Sequence, residues 1–282
     1  PIMYCGGIGS ILKHNISKDI PSLGLLVVRV GGPAYCIGLG GGAASSRNQD
    51  TKNKSLDFDA VQRGDPQMEN KVCRFIKACS ELNPNPIVSI HDQGSGGMGN
   101  VTKEIVEPNG AIISLNNIKL GDKTMSSNEI WNAEYQEQVS ILIHPKDKDL
   151  IKQIARRECI NLDFAGVITN SGRIEVYNKN DSINKVVDFD LEKVLNKIPT
   201  KNYLFNVVKE DNNCDNFYCD PIKINEYVKD VLNHVSVGSK RFLTNKVDRS
   251  VTGLVAQQQC IGPFHTPLSN YSITAFSLED TR

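Results

Sequence analysis

The feature that most limits what this chain can become lies between Gly24 and Ser46, where the apolar run GLLVVRV passes directly into GGPAYCIGLGGGAASS. Val27 to Val30 predict a short buried strand. Residues 31 to 46 then hold six glycines and no charged side chain. Glycine lets the backbone take positive φ and lets its N–H groups approach an anion without interference from Cβ. The loop lacks the G-K-[ST] of a P-loop and the glycine spacing of a dinucleotide fingerprint. Taken alone, it fits either a backbone wall beside a phosphate or a turn where two elements pack closely.

Bulk charge narrows the partners. With 32 basic and 32 acidic side chains among 282 residues, neither nucleic acid nor an anionic membrane is expected, and a small or highly polar ligand is. The apolar share of 39% is enough for cores, and the length predicts more than one domain. No run approaches the roughly 18 to 20 apolar residues of a membrane span, and the first residues do not read as a secretion signal. The eight cysteines form no C-x-x-C pair, so zinc is not expected. Read as reduced thiols, they predict a cytoplasmic location.

Further along, Pro66 opens a segment in which Met68, Val72, Phe75, Ile76 and Cys79 recur at offsets 0, 4, 7, 8 and 11, a helical spacing. PIVSIHDQGSGGMGN (86 to 100) reads as a strand with Asp92 at its carboxyl end and a glycine turn after it, and VTKEIVE as a helix. A second block follows, with AIISL a strand, NEIWNA a short helix, QEQVSILIH a strand and KDKDLIKQIARREC an amphipathic helix. FAGVIT and RIEVYN, joined by Asn170-Ser171-Gly172, predict a hairpin. The alternation gives an α/β (α+β) layered domain ending near Pro199. Residues 201 to 221 are rich in Asn, Asp and Lys and read as a solvated linker, followed by a helix marked by Ile224, Tyr227, Val228, Val231 and Leu232. YSITAFS has strand character with nothing after it to bury it, which suggests a piece of a longer polypeptide.

Several polar residues carry candidate chemistry. Asp92 stands where a buried strand meets a glycine turn, a position that suits a Mg²⁺ ligand and equally a turn-capping carboxylate. Its neighbour His91 points to the opposite strand face and reads as structural. Glu134 and Gln136 are two apart, so an extended Tyr135 would turn both to one ligand; an exposed strand start is the plain alternative. Gln62 precedes the helix opened by Pro66, where it can meet a polar ligand group or simply belong to the start of the helix.

The words PIMYCGGIGS, VGGPAYCIGLGGGAASS, LDFDAVQRGDPQMENK, NPIVSIHDQGSGGMGN, EIWNAEYQEQ and DRSVTGLVAQQQCIGPFHTPL resemble, in order and spacing, the large, eukaryote-like phosphoribosylformylglycinamidine synthases. These are glutamine-dependent ligases of purine biosynthesis. The resemblance is weakest between Ser182 and Asp220. It implies that residues 1–200 are the carboxyl-terminal domain of an aminoimidazole-ribonucleotide-synthetase-like unit, 201–237 a linker with a connecting helix, and 238–282 the truncated start of a second unit.

The same resemblance implies a reaction in which ATP phosphorylates the amide oxygen of formylglycinamide ribonucleotide and ammonia from a glutaminase domain displaces the phosphate. By residue, it implies substrate contacts at Gln62, Glu134, Tyr135 and Gln136, a magnesium ligand at Asp92, and a backbone wall beside phosphate at Gly38, Gly40, Gly41 and Gly42. Ser269 falls at an auxiliary nucleotide, and Asn270 at its metal, where the family pattern has aspartate; a neutral amide holds Mg²⁺ more weakly. The 282 residues alone are expected to be inactive. The competing readings are another ATP-dependent enzyme of the same superfamily, which would lack DRSVTGLVAQQQC, and a non-catalytic repeat that braces other domains.

Overall fold

The computed structural model describes residues 11–40, 54–60, 64–181, 184–196, 200–206, 219–239, 250–251, 253–264 and 271–277. Gln62, Gly41, Gly42, Ser269 and Asn270 lie outside the described residues. The chain divides into two compact units, Ser17–Asn202 and a second formed by Pro1–Ile16 with Tyr203–Arg282.

The first unit is built on seven strands: β1 (Leu26–Gly31), β2 (Ile87–Asp92), β3 (Ala111–Ser114), β4 (Gln138–Ile143), β5 (Asn161–Ile168), β6 (Arg173–Tyr177) and β7 (Lys185–Asp190). Their order across the sheet is β2-β4-β1-β5-β3-β6-β7. Neighbours run antiparallel except β3 and β6, which are parallel. The carboxyl ends of β1, β2, β3 and β6 therefore share one edge with the amino ends of β4, β5 and β7.

Among the described residues the α-helices are α1 (Lys54–Asp59), α2 (Pro66–Ser80), α3 (Gly97–Val106), α4 (Ser127–Asn132), α5 (Lys148–Arg157) and α6 (Ile224–Asn233). The first five belong to the sheet's unit, and two cores explain how four of them cover it. On one face Val28, Val30, Ile141 and Ile143 pack with Val72, Phe75 and Cys79 of α2 and Ile151 and Ile154 of α5. On the other, Leu25, Val27, Ile113 and Leu142 pack with Met98 and Ile105 of α3 and Ile130 and Trp131 of α4. Alternate residues of β1 and β4 thus enter opposite cores, as the period-two direction of strand side chains requires.

Local signals fix the helix starts. Asp65 accepts from the Met68 N–H at 3.0 Å with Pro66 in the first turn, and Ser126 and Glu129 form a reciprocal capping box at α4. At the start of α3, Gly97 has φ +56°, and a Cβ there would lie 2.3 Å from the Ala133 carbonyl. No larger residue lets α3 approach the end of α4 this closely.

One expectation is corrected. The strands of FAGVIT and RIEVYN do not form a hairpin, because β3 lies between them, paired antiparallel to β5 and parallel to β6. The hairpin instead joins β6 to β7, whose residues the sequence reading left outside any element. Its exposed rung is ionic: Arg173 bonds Asp188 at 2.6 Å, and Lys185 reaches Asp188 and Glu175. Charges of this kind suit an edge strand, since they discourage further pairing.

The second unit contains α6, at the predicted place, preceded by a turn over Pro221–Lys223 that Asp220 caps through the Ile222 N–H at 3.0 Å. It also holds a small antiparallel pair, β8 (Val255–Gln257) with β9 (Ile273–Thr274). The strand foreseen in YSITAFS is thus paired within the unit.

Candidate functional site

Three segments meet at the edge where β1 and β2 end. The first is the loop that leaves β1, the second the turn that follows α4, and the third the glycine turn that follows Asp92.

The loop and the turn are fastened through their backbones. The Ile37 carbonyl accepts from both the Glu134 N–H at 2.9 Å and the Tyr135 N–H at 3.0 Å. Next to it, Gly38 has φ +72°, and a Cβ there would lie 2.7 Å from Glu134 Cβ and 3.0 Å from its Oε2. The glycine is what lets the loop close on the carboxylate side chain. Gly40 also takes a positive φ, +77°.

The Glu134–Gln136 stretch is not extended, which corrects the sequence reading. Tyr135, Gln136 and Glu137 have φ of 31°, 24° and 52°, three consecutive non-glycine residues in left-handed backbone. Such residues are strained and persist only where their surroundings impose them. The two polar side chains nonetheless meet, with Gln136 Nε2 donating to Glu134 Oε1 at 3.3 Å. Glu134 is buried and Gln136 half-buried.

Tyr135 sits differently from its neighbours. Its side chain is buried, and its hydroxyl donates to the Ile130 carbonyl at 2.8 Å. Burial pushes the phenol up to about 12, against the opposing pull of the Arg29 guanidinium, so it stays neutral at physiological pH. This side chain supports the turn from below.

The third segment joins the second through a residue that the sequence reading passed over. Buried Gln93 donates from its backbone N–H to the Gln138 carbonyl at 3.0 Å and from Nε2 to the Glu134 carbonyl at 3.2 Å. Asp92, paired in register with Val139, ends β2 with its side chain 83% exposed. His91 has Nε2 2.6 Å from Glu104 Oε2, and its Nδ1 lies 2.8 Å from the Asp92 carbonyl oxygen and 3.4 Å from Asp92 Oδ1. Among the described residues no three His, Cys, Asp or Glu side chains form a group able to hold a metal ion by themselves. A single solvent-facing carboxylate matches the way Mg²⁺ is held, by one or two carboxylates with water and phosphate oxygens completing its shell.

Beneath the turn lies a polar group also missed from sequence, comprising Arg29, Gln138 and Asp163, all buried. Arg29 Nη1 donates to Gln138 Oε1 at 2.6 Å and to the Gly32 carbonyl at 2.7 Å, and Nη2 pairs with Asp163. A lone arginine inside the apolar strand LVVRV was the available signal. A cleft of about 430 Å³ lined by Asn116, Ser127 and Asn178 includes none of the candidate residues, and these three bond within it.

Residues 23–179 match the family described as AIR synthase related protein, C-terminal domain, and residues 239–282 match the FGAR-AT PurM_N-like domain. The chain is 47% identical over 287 residues to the phosphoribosylformylglycinamidine synthase of Dictyostelium discoideum, covering 97% of this chain and 21% of that protein. It is 44% identical over 297 residues to the enzyme of the same name from Homo sapiens, covering 99% and 22%. The chain thus spans about a fifth of the length of these curated relatives. Among solved structures, T. maritima PurL complexed with FGAR aligns with a TM-score of 0.58 at 22% identity, over 68% of this chain and 31% of that one, a likeness of fold. With more than half of its residues matched, the chain belongs to the family of AIR synthase related proteins, through their C-terminal domain.

Proposed function

We propose that this chain is a segment of an ATP- and glutamine-dependent ligase that converts formylglycinamide ribonucleotide to its amidine, and that it supplies the wall gripping the ribonucleotide and one metal ligand. The observation that carries the reading is the convergence of the Gly38 loop, the Glu134–Gln136 pair and the Asp92 turn on one edge of the sheet. Identity of 44 to 47% to synthases over nearly the whole chain supports it, and so does the match of residues 239–282, which a kinase of the same superfamily would not have. One solved relative was complexed with FGAR and another with ATP.

In this reading Glu134 accepts from, and Gln136 both donates to and accepts from, the polar groups of the ribonucleotide. Gln62 completes that set. The loop from Gly38 to Gly42 faces phosphate with its backbone N–H groups, and Asp92 holds Mg²⁺, which neutralises phosphate charge when bound. The amide oxygen takes the γ-phosphoryl group of ATP, and ammonia then displaces phosphate at that carbon. Ser269 is assigned to an auxiliary nucleotide and Asn270 to that nucleotide's metal. Because the chain spans about a fifth of the synthases it resembles, the 282 residues alone are expected to bind without turnover.

Calorimetric titration with formylglycinamide ribonucleotide and Mg²⁺ tests the assignment. Binding by the wild-type chain that is lost in Gln136→Ala and in Asp92→Ala supports it. Binding that survives both substitutions would refute it.

A further inference from the structure

We infer that Arg29 is a positioning residue for the ribonucleotide, an inference that rests on the proposed function. It holds the left-handed turn that aims Glu134 and Gln136, although it is 1% exposed and cannot itself touch a ligand on that edge.

The case begins with the strain. Left-handed backbone is strained for an L-residue, and here three such residues stand in a row without a glycine. Something must impose the conformation, and the groups that do so trace back to one guanidinium. Gln138 Nε2 faces three carbonyl oxygens, those of Gln136 at 2.9 Å, Tyr135 at 3.2 Å and Gly32 at 3.2 Å. Its Oε1 is held by Arg29 Nη1, which fixes the amide in the orientation that offers N–H to the turn. The Arg29 Cζ also lies 5.3 Å from the centroid of the Tyr135 ring, a cation–π distance. Asp163, which accepts from the Lys119 N–H at 3.1 Å, pins the far side of the guanidinium.

The contacts of Arg29 therefore sort by purpose. One partner, Asp163, balances its charge; the others are the turn's tyrosine, the turn's amide clamp and the carbonyl of Gly32 at the root of the glycine loop. A buried ion pair is a poor way to gain stability, since apolar replacements of equal volume are often as stable. A planar fork that addresses several acceptors in fixed directions is a good way to set geometry. Lysine keeps the charge but not the fork.

The test is steady-state kinetics of the complete synthase carrying this segment, comparing wild type, Arg29→Lys, Gln136→Ala and the double variant. Arg29→Lys is expected to raise the KM for formylglycinamide ribonucleotide about ten-fold, with the KM for ATP changed less than about two-fold, since a small misplacement of binding groups is felt only by the ligand they hold. Because Arg29 acts in part through Gln136, the double variant is expected to fall short of the product of the two single fold-changes. Fold-changes that multiply in the double variant, or a uniform change in both KM values, would overturn the inference. If Gln136→Ala leaves the ribonucleotide KM untouched, the proposed function falls and the inference with it; if only Arg29→Lys has no effect, the inference alone falls. Should Arg29→Lys fail to accumulate folded, Gln138→Glu carries the same test. It retains an acceptor for Arg29 and removes the N–H donors, and the same selective rise in KM is required of it.

Discussion

Gly38 lies so close to Glu134 that a Cβ added to the glycine would come within 2.7 Å of the Cβ of the glutamate. The glycine loop and the acidic side chain therefore form one surface. A methyl group at position 38 is penalised twice, by the contact and by a φ of +72°. Gly38→Ala is expected to lower stability by about 1–3 kcal/mol and, in the complete enzyme, to raise the KM for the ribonucleotide. Urea unfolding and initial rates check the two effects, and an unchanged KM would detach the loop from the site.

Asp92 offers the opposite case, a residue with a proposed role and little structural weight. Its side chain is 83% exposed, so Asp92→Asn is expected to shift stability by no more than about 0.5 kcal/mol. In the complete enzyme the same change is expected to raise the Mg²⁺ concentration needed for half-maximal rate about ten-fold, because a neutral amide replaces a hard anionic ligand. Rates measured against free Mg²⁺ decide the point. An unaltered Mg²⁺ dependence would leave Asp92 as a turn residue only.

Glu137 gives a pH dependence with a definite sign. Burial, followed by repulsion from Glu69, raises its carboxyl above the ordinary value of 4.5. A group whose folded value is raised contributes stability below its unfolded value and loses that contribution as pH rises through the folded one. Ionised Glu137 therefore opposes folding at neutral pH. Glu137→Gln is expected to raise Tm at pH 7, with the gain shrinking toward zero below about pH 4. Melting curves at the two pH values are the check; an equal gain at both would point to packing instead of charge.

Thiol reactivity is expected to follow burial. Cys36 is pushed up to about 11 by burial, then by Asp59 and Glu129, and buried Cys79 to about 12. Cys73, Cys159 and Cys219 are exposed. At pH 8 an alkylating reagent is expected to label those three in the native protein well before Cys36 or Cys79, as peptide mass spectrometry would show. Early labelling of Cys79 would mean that α2 does not stay seated on β1 and β4.

What could be read from sequence was what obeys a period or a punctuation mark. Val72, Phe75 and Cys79 announce α2 by their spacing, and Asp65-Pro66 marks its start. β7 was passed over because VVDFD lies among Asn and Lys residues and carries its own charges. The hairpin expected at Asn170-Ser171-Gly172 fails for a different reason: the turn is there, yet β3, from a distant part of the sequence, occupies the slot beside it. Glu134 and Gln136 were legible as a pair, but not the left-handed backbone that joins them, because no glycine signals it. Arg29 could be seen as odd among valines; its partners Gln138 and Asp163 are 109 and 134 residues away, a separation that no local pattern spans.

The placement of β3 also divides the sheet mechanically. β6 and β7 pair with each other, and among the described residues their ladder to the remaining strands is the four-residue β3. Five strands stand on one side of this seam and two on the other once β3 is counted with the larger part, and Ile174 and Val176 of β6 are packed into the core that β3 shares. Amide protons of β6 and β7 are expected to exchange as one block once both the β3 ladder and the packing of Ile174 and Val176 are lost, while β1 and β4 at the heart of the larger part remain closed.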